Sequence, residues 1–147
     1  EGHHNKIERR RAGRLLFLLK KDIEMNHSLL LQLKEAYKKQ DYTVFYNLSL
    51  VIWNSMPTKI ITVLKDKDLN IVEEISKFYY QLEHLGRKVD MIFKITFGST
   101  FTKEALPQRQ ILITSLNQHV SAILEGTICE SPKTIIAKID CLAKELR

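Results

Sequence analysis

The sequence predicts an all-α chain, a four-helix bundle with a short irregular helical insertion after its first long helix. Three observations carry that expectation. Four segments space their apolar residues at alternating steps of three and four, the signature of one helix face. Only five Gly and three Pro interrupt 147 residues, which favours long regular elements. One segment alone has strand-like composition, and a lone strand has nothing to pair with. The chain is most simply a single domain, residues 1–147, large enough to bury a core of its own.

In the first segment Ala12, Leu16, Leu19, Ile23, Leu30, Leu33 and Tyr37 fall on one seam. Asn26 occupies the gap between Ile23 and Leu30, so the heptad runs through it and the spacing predicts one helix of about 35 residues. An Asn at a seam costs stability but can fix register; its structural reading is a core amide bonded to a neighbouring helix. Leu15, Leu18 and Leu29 widen the stripe, which fits a bundle helix with several neighbours better than a free dimeric coiled coil. The polar "KKQD" ends it.

The insertion, residues 43–66, follows. Its Val, Ile, Phe and Tyr density resembles a strand, yet the expectation is two short helices. Ser49 is expected to cap a helix carrying Val51, Ile52 and Trp53. Pro57 is expected in the first turn of a second helix, Thr58 to Leu64.

The next helix begins at Asp68, a good N-cap, with Glu73 and Glu74 near the positive end of its dipole. Ile71, Ile75, Phe78, Leu82, Leu85, Val89 and Ile92 make its seam. Gly86 lies beside that seam at a cost of roughly 1 kcal/mol relative to Ala, so close approach of another helix is expected there. Gly98 reads as the C-terminal cap. After the turn "STFTKEALPQRQ", Pro107 enters the first turn of a helix whose face is Ile113, Leu116, Val120 and Ile123, with Gly126 as its stop. Ser131 caps the last helix, Pro132 takes its first position, and Ile135, Ile139, Leu142 and Leu146 form its face.

The net charge of +6 is concentrated at one end. Residues 1–21 hold Lys6, Arg9, Arg10, Arg11, Arg14, Lys20 and Lys21 against Glu1 and Glu8, a net +5. The other 126 residues hold 16 basic and 15 acidic side chains, so most of the chain offers no nucleic-acid surface by charge. Arg10 and Arg14 share a helix face and Arg9 and Arg11 flank it, so the charge wraps the helix as a collar. A base-reading helix carries Asn, Gln, Ser or Thr among its arginines, and "KIERRRAGRLL" has none, which disfavours nucleic acid as the partner. A collar just before an apolar helix suits the phosphate-rich layer of an anionic membrane on its cytoplasmic side. Arg9, Arg10, Arg11 and Arg14 are therefore the candidate anionic-surface-binding residues, and residues 1–11 a basic, juxtamembrane start. No apolar run reaches 18 residues, so the expected anchor is a segment preceding Glu1. With Ile7 the one apolar residue before Ala12, residues 1–8 are expected to project or fray and the four arginines to be exposed. A solvated charge run is the plain alternative.

A resemblance points the same way. Arg11, Arg14, Leu18, Leu19, Ile23, Asn26, Trp53, Leu64, Asp66, Leu69, Tyr79, Leu82 and Glu83 match the pattern of a loose group of bacterial membrane-anchored helical domains of uncharacterised function. There a membrane helix runs into a basic, Leu-rich helix of the type RRxxxxLLxEIxxN. A Trp segment, a short helix, an L-x-D-x-x-L turn and a helix with a Tyr and a Leu-Glu pair follow. The resemblance spans residues 8–95 and implies an architecture and an anchor, with no activity. The chain departs from it in lacking the membrane helix itself.

No catalytic constellation stands out, and neither an enzymatic function nor a cofactor is expected. Glu24 and His27 share a helix face, but a di-iron bundle needs a second such pair and two further Glu, so metal binding is not expected. His3 and His4 read as a terminal feature. Cys129 and Cys141 form no Cys-x-x-Cys pair; with His119 on another element, both read as small hydrophobes in a reducing compartment. Phe45, Tyr46, Trp53, Phe78, Tyr79 and Tyr80 could line a pocket, but packing of the insertion on the long helix is the expectation. The function these features predict is a non-enzymatic interaction or scaffold domain. Its partners would be an anionic membrane surface, a second copy or another protein. The alternative is a soluble nucleic-acid-binding or regulatory helical protein using the same arginines.

Overall fold

The computed structural model describes residues 2–42, 47–98 and 102–146, with backbone alone for residues 2–5. Phe45, Tyr46 and the turn residues 99–101 lie outside them, as do the side chains of His3 and His4. The described chain is all-helical, with no strand: α1 (Gly2–Lys38), α2 (Val51–Asn54), α3 (Thr58–Lys67), α4 (Leu69–Phe97), α5 (Ala105–Glu125) and α6 (Pro132–Glu145).

The seam of α1 is buried as its spacing predicts. Ala12, Leu16, Leu19, Ile23, Leu30 and Leu33 are fully buried and Tyr37 nearly so. Burying each large aliphatic side chain stabilises by roughly 1.5–3 kcal/mol, so this stripe alone commits α1 to its neighbours. Leu15 and Leu29 are half-buried, but Leu18 is 48% exposed and Phe17 59%, so the stripe is narrower on that side than expected. The backbone is helical from Gly2, and Ile7 is exposed. At the other end Gln40 takes a left-handed conformation (φ 60°) and Asp41 N–H reaches back to Ala36 O at 2.9 Å, closing the helix with a residue other than Gly.

Asn26 is completely buried and makes a two-bond clamp. Its Oδ1 accepts from Ser49 N–H at 2.9 Å and its Nδ2 donates to Ser49 O at 3.0 Å. The amide thus substitutes for a paired strand along the insertion. This corrects the expected role of Ser49. The residue preceding α2 is Leu50, in a helical conformation, with no side-chain cap, because the backbone of Ser49 is already engaged by Asn26. Pro57 likewise sits one position earlier than expected, as the extended residue before α3 (φ −62°, ψ 142°), and α3 runs on to Lys67 instead of ending at Leu64.

The long helices follow their spacing. Asp68 caps α4 by accepting from Ile71 N–H at 3.3 Å, and Ile71, Ile75, Phe78, Leu82, Leu85, Val89 and Ile92 are buried. Gly98 ends α4 in an extended conformation and Gly126 ends α5 in a left-handed one, φ 78°. Ser131 Oγ accepts from Thr134 N–H at 3.3 Å to cap α6, with Pro132 at its first turn. α1 packs on α2, α3, α5 and α6, and α4 on α3, α5 and α6. α6 lies antiparallel to α1, since Lys133 faces His27, Asp140 meets Lys20, and Leu146 shares a groove with Arg9 and Gly13.

Gly86 overturns one expectation. A Cβ built on it meets nothing within 4 Å, so no neighbouring helix requires its small size. Replacing Gly86 by Ala should therefore stabilise the chain by about 0.5–1 kcal/mol through helix propensity alone, read as a higher urea midpoint at unchanged slope. A loss of stability would show that something does approach there. Asn26→Leu keeps the volume but leaves Ser49 N–H and C=O without their partner, and should cost roughly 1–3 kcal/mol in the same denaturation; an unchanged midpoint would mean that water replaces the clamp freely.

Candidate anionic-surface site

The amino-terminal third of α1 carries the charged residues. Arg9, Arg10, Arg11 and Arg14 are all exposed, and none has an ion pair among the described residues. The helical period puts Arg10 and Arg14 on one face; what they face is set by α6. The two helices diverge there into a groove of about 930 Å³. Arg9, Arg10 and Arg14 line it together with the exposed Phe17 and Leu18, the half-buried Ala143, and the buried Leu16, Ile139 and Leu146. Arg11 is not among the lining residues. Three of the four arginines thus border the groove and the fourth does not. Lys21 Nζ stands 5.5 Å from the Phe17 ring centroid, a further cation at the edge of the apolar surface.

The acid that lines this groove is neutralised from inside the fold. Asp140 pairs with Lys20 at 2.9 Å, a hydrogen bond that holds the Lys20 ammonium above its ordinary range. Glu8, just before Arg9, is half-buried, and its Oε2 is shielded with no hydrogen-bond partner among the described residues.

The other sequence candidates resolve differently. His27 is half-buried, and burial first, then Lys133, lower its pKa. Among the described residues no three potential metal ligands come together. Cys129 is buried and its thiol is pushed up to about 11 by burial and by Glu130. Cys141 is exposed, contrary to its reading as a small buried or half-buried hydrophobe, because the outer face of α6 carries it. Trp53 stacks on Tyr79 with centroids 6.1 Å apart and planes 6° apart, so these aromatics pack the insertion on α4. Tyr80 is 58% exposed and packs T-shaped with His84, ring centroids 4.4 Å apart, outside the Trp53–Tyr79 stack.

Two buried polar groups lay outside the expected site. Asp22, on the turn before Asn26, accepts from Asn26 Nδ2 at 3.3 Å and from Tyr79 Oη, joining α1 to α4. Burial, then the Asp22 bond, raises the Tyr79 pKa. His119, on α5, is 8% exposed. Its Nε2–H donates to Gln81 Oε1 at 2.8 Å and its Nδ1 accepts from Lys88 Nζ at 3.0 Å, an assignment that requires the neutral ring. Burial, then Lys88 and His84, push its pKa down to about 4. The face spacing of α5 places position 119 inward beside Leu116 and Val120, which is the signal that could have found it.

No protein-family model, no curated protein and no solved structure matches this chain.

The sign of the His119 effect follows from its depressed pKa. The neutral ring is the folded form, so protonation favours unfolding. Stability from this group is full above about pH 6.5 and is lost as pH falls toward 4, by at most a few kcal/mol. Urea titrations between pH 7 and 4 should show this decline, with a flatter slope in His119→Gln. An identical slope in the variant would remove His119 as its source.

Proposed function

We propose that this chain is a non-enzymatic helical interaction domain, the cytoplasmic part of a membrane-anchored protein, whose basic α1 end lies against an anionic membrane surface. The observation that carries the reading is the state of Arg9, Arg10, Arg11 and Arg14. Four permanent cations stand exposed on one short stretch, without an ion pair among the described residues, while the rest of the chain is electrically balanced. Each such residue near an anionic leaflet stabilises attachment by on the order of 1 kcal/mol, enough in sum to matter once an anchor holds the chain there. The architecture proposed to present them is a four-helix bundle of α1, α4, α5 and α6 in one domain, with α3 bracing α1 against α4. The exposed apolar side chains of its outer faces, Met91, Phe97 and Ile111 among them, suit a second copy or a protein partner.

The experiment is vesicle partitioning of the chain carrying one N-terminal myristoyl group, which alone gives only marginal attachment. Binding to vesicles with one-third phosphatidylglycerol should exceed binding to pure phosphatidylcholine by at least about tenfold at low salt. The difference should collapse in high salt and when the four arginines are changed to Gln. Equal binding to both vesicles would defeat the proposal. Tighter, steeply salt-dependent binding to DNA or RNA would move the arginines to the nucleic-acid reading.

A further inference from the structure

We propose that the groove between α1 and α6 seats a single anionic phospholipid, with its phosphate among Arg9, Arg10 and Arg14 and one acyl chain along Phe17, Leu18 and Ala143. This rests on the anionic-surface reading and adds a defined, one-to-one site to it.

Two features converge at this place. The rim is cationic beyond what the fold itself uses. The carboxyl end of α6 opens here, but a helix terminus carries only about half an elementary negative charge, and three guanidiniums exceed it several-fold. Asp140 is already matched by Lys20 at 2.9 Å. A surplus of positive charge therefore remains for an anion, and guanidinium forks suit phosphate oxygens. Beside the arginines the accessible lining is apolar, with Phe17 59% and Leu18 48% exposed and Ala143 half-buried, while Leu16, Ile139 and Leu146 are buried. Gly13, on the same wall, has nothing within 4 Å of a built Cβ. A volume of about 930 Å³ lies in the range of small-ligand sites. A free phosphate would use the rim and leave the lining wet; a neutral acyl chain would use the lining and leave the charge unmatched. An anionic phospholipid uses both.

The test is calorimetric titration of the whole chain with dihexanoyl phosphatidylglycerol below its micellar concentration, so that no membrane surface is present. Inorganic phosphate and dihexanoyl phosphatidylcholine are titrated alongside. One saturable site is expected for the anionic lipid, at least about tenfold tighter than for either comparator. Gly13→Met, which fills the groove where space is free, should weaken that binding about tenfold, and Ala143→Phe likewise. Arg10→Gln with Arg14→Gln should abolish it, while Gly86→Ala, remote from the groove, should bind as the parent does. Inorganic phosphate binding as tightly as the lipid, or lipid binding indifferent to both groove-filling variants, would overturn the seat. The charge-dependent vesicle partitioning above would then still stand or fall separately. Conversely, saturable lipid binding with no preference for anionic vesicles would keep the seat and remove the surface reading.

Discussion

The clamp between Asn26 and the backbone of Ser49 is the constraint on which the arrangement depends. A chain segment crossing between helices carries N–H and C=O groups that must be satisfied, and at Ser49 no strand or helix partner supplies them. One buried amide does so with two bonds of 2.9 and 3.0 Å. The same amide donates to Asp22, which accepts from Tyr79, and Tyr79 stacks on Trp53. Three parts of the chain therefore meet at a single polar layer: α1, the insertion with its α2, and α4. Apolar seams could slide by a turn at modest cost. A polar layer has one satisfied register, and that register sets where α3 reaches between α1 and α4.

Electrostatics elsewhere are mostly local. Glu35 with Lys39, Glu83 with Arg87, and Asp90 with Lys94 are exposed pairs one helical turn apart, each worth only a few tenths of a kcal/mol. Among the described residues two pairs join separate helices, and both fasten α6: Lys20 to Asp140 on the α1 side, and Lys138 to Glu74 on the α4 side. The arginines of α1 belong to neither class. They are exposed and, like several lysines elsewhere on the surface, have no ion pair among the described residues; what sets them apart is their clustering on one short stretch.

Much of the fold was legible because helix periodicity is a local property. The seams of α1, α4, α5 and α6 could be read residue by residue, as could the stops at Gly98 and Gly126 and the caps at Asp68 and Ser131. The misreadings share a cause, which is that they depend on what a second segment presents. Ser49 looked like a cap because its side chain is a good one, but its backbone was already taken by a residue 23 positions away. Gly86 looked like a close approach, but the neighbour is absent. The arginines were legible as a cluster; the groove beside them was not, since its other wall, Ile139 to Leu146, lies at the far end of the chain.

The antiparallel placement of α6 along α1 has a mechanical consequence. A pull on the amino end of α1 along its axis loads that interface in shear. Leu16, Leu19 and Ile23, with the Lys20–Asp140 pair, must then slip together, and the Asn26 clamp beyond them resists in parallel. A pull on the carboxyl end of α6, which lies beside that amino end, shears the same interface when directed along the axis and peels it one turn at a time from Leu146 when directed across the axis. The fold is thus stiff toward axial force at this end and compliant toward lateral force.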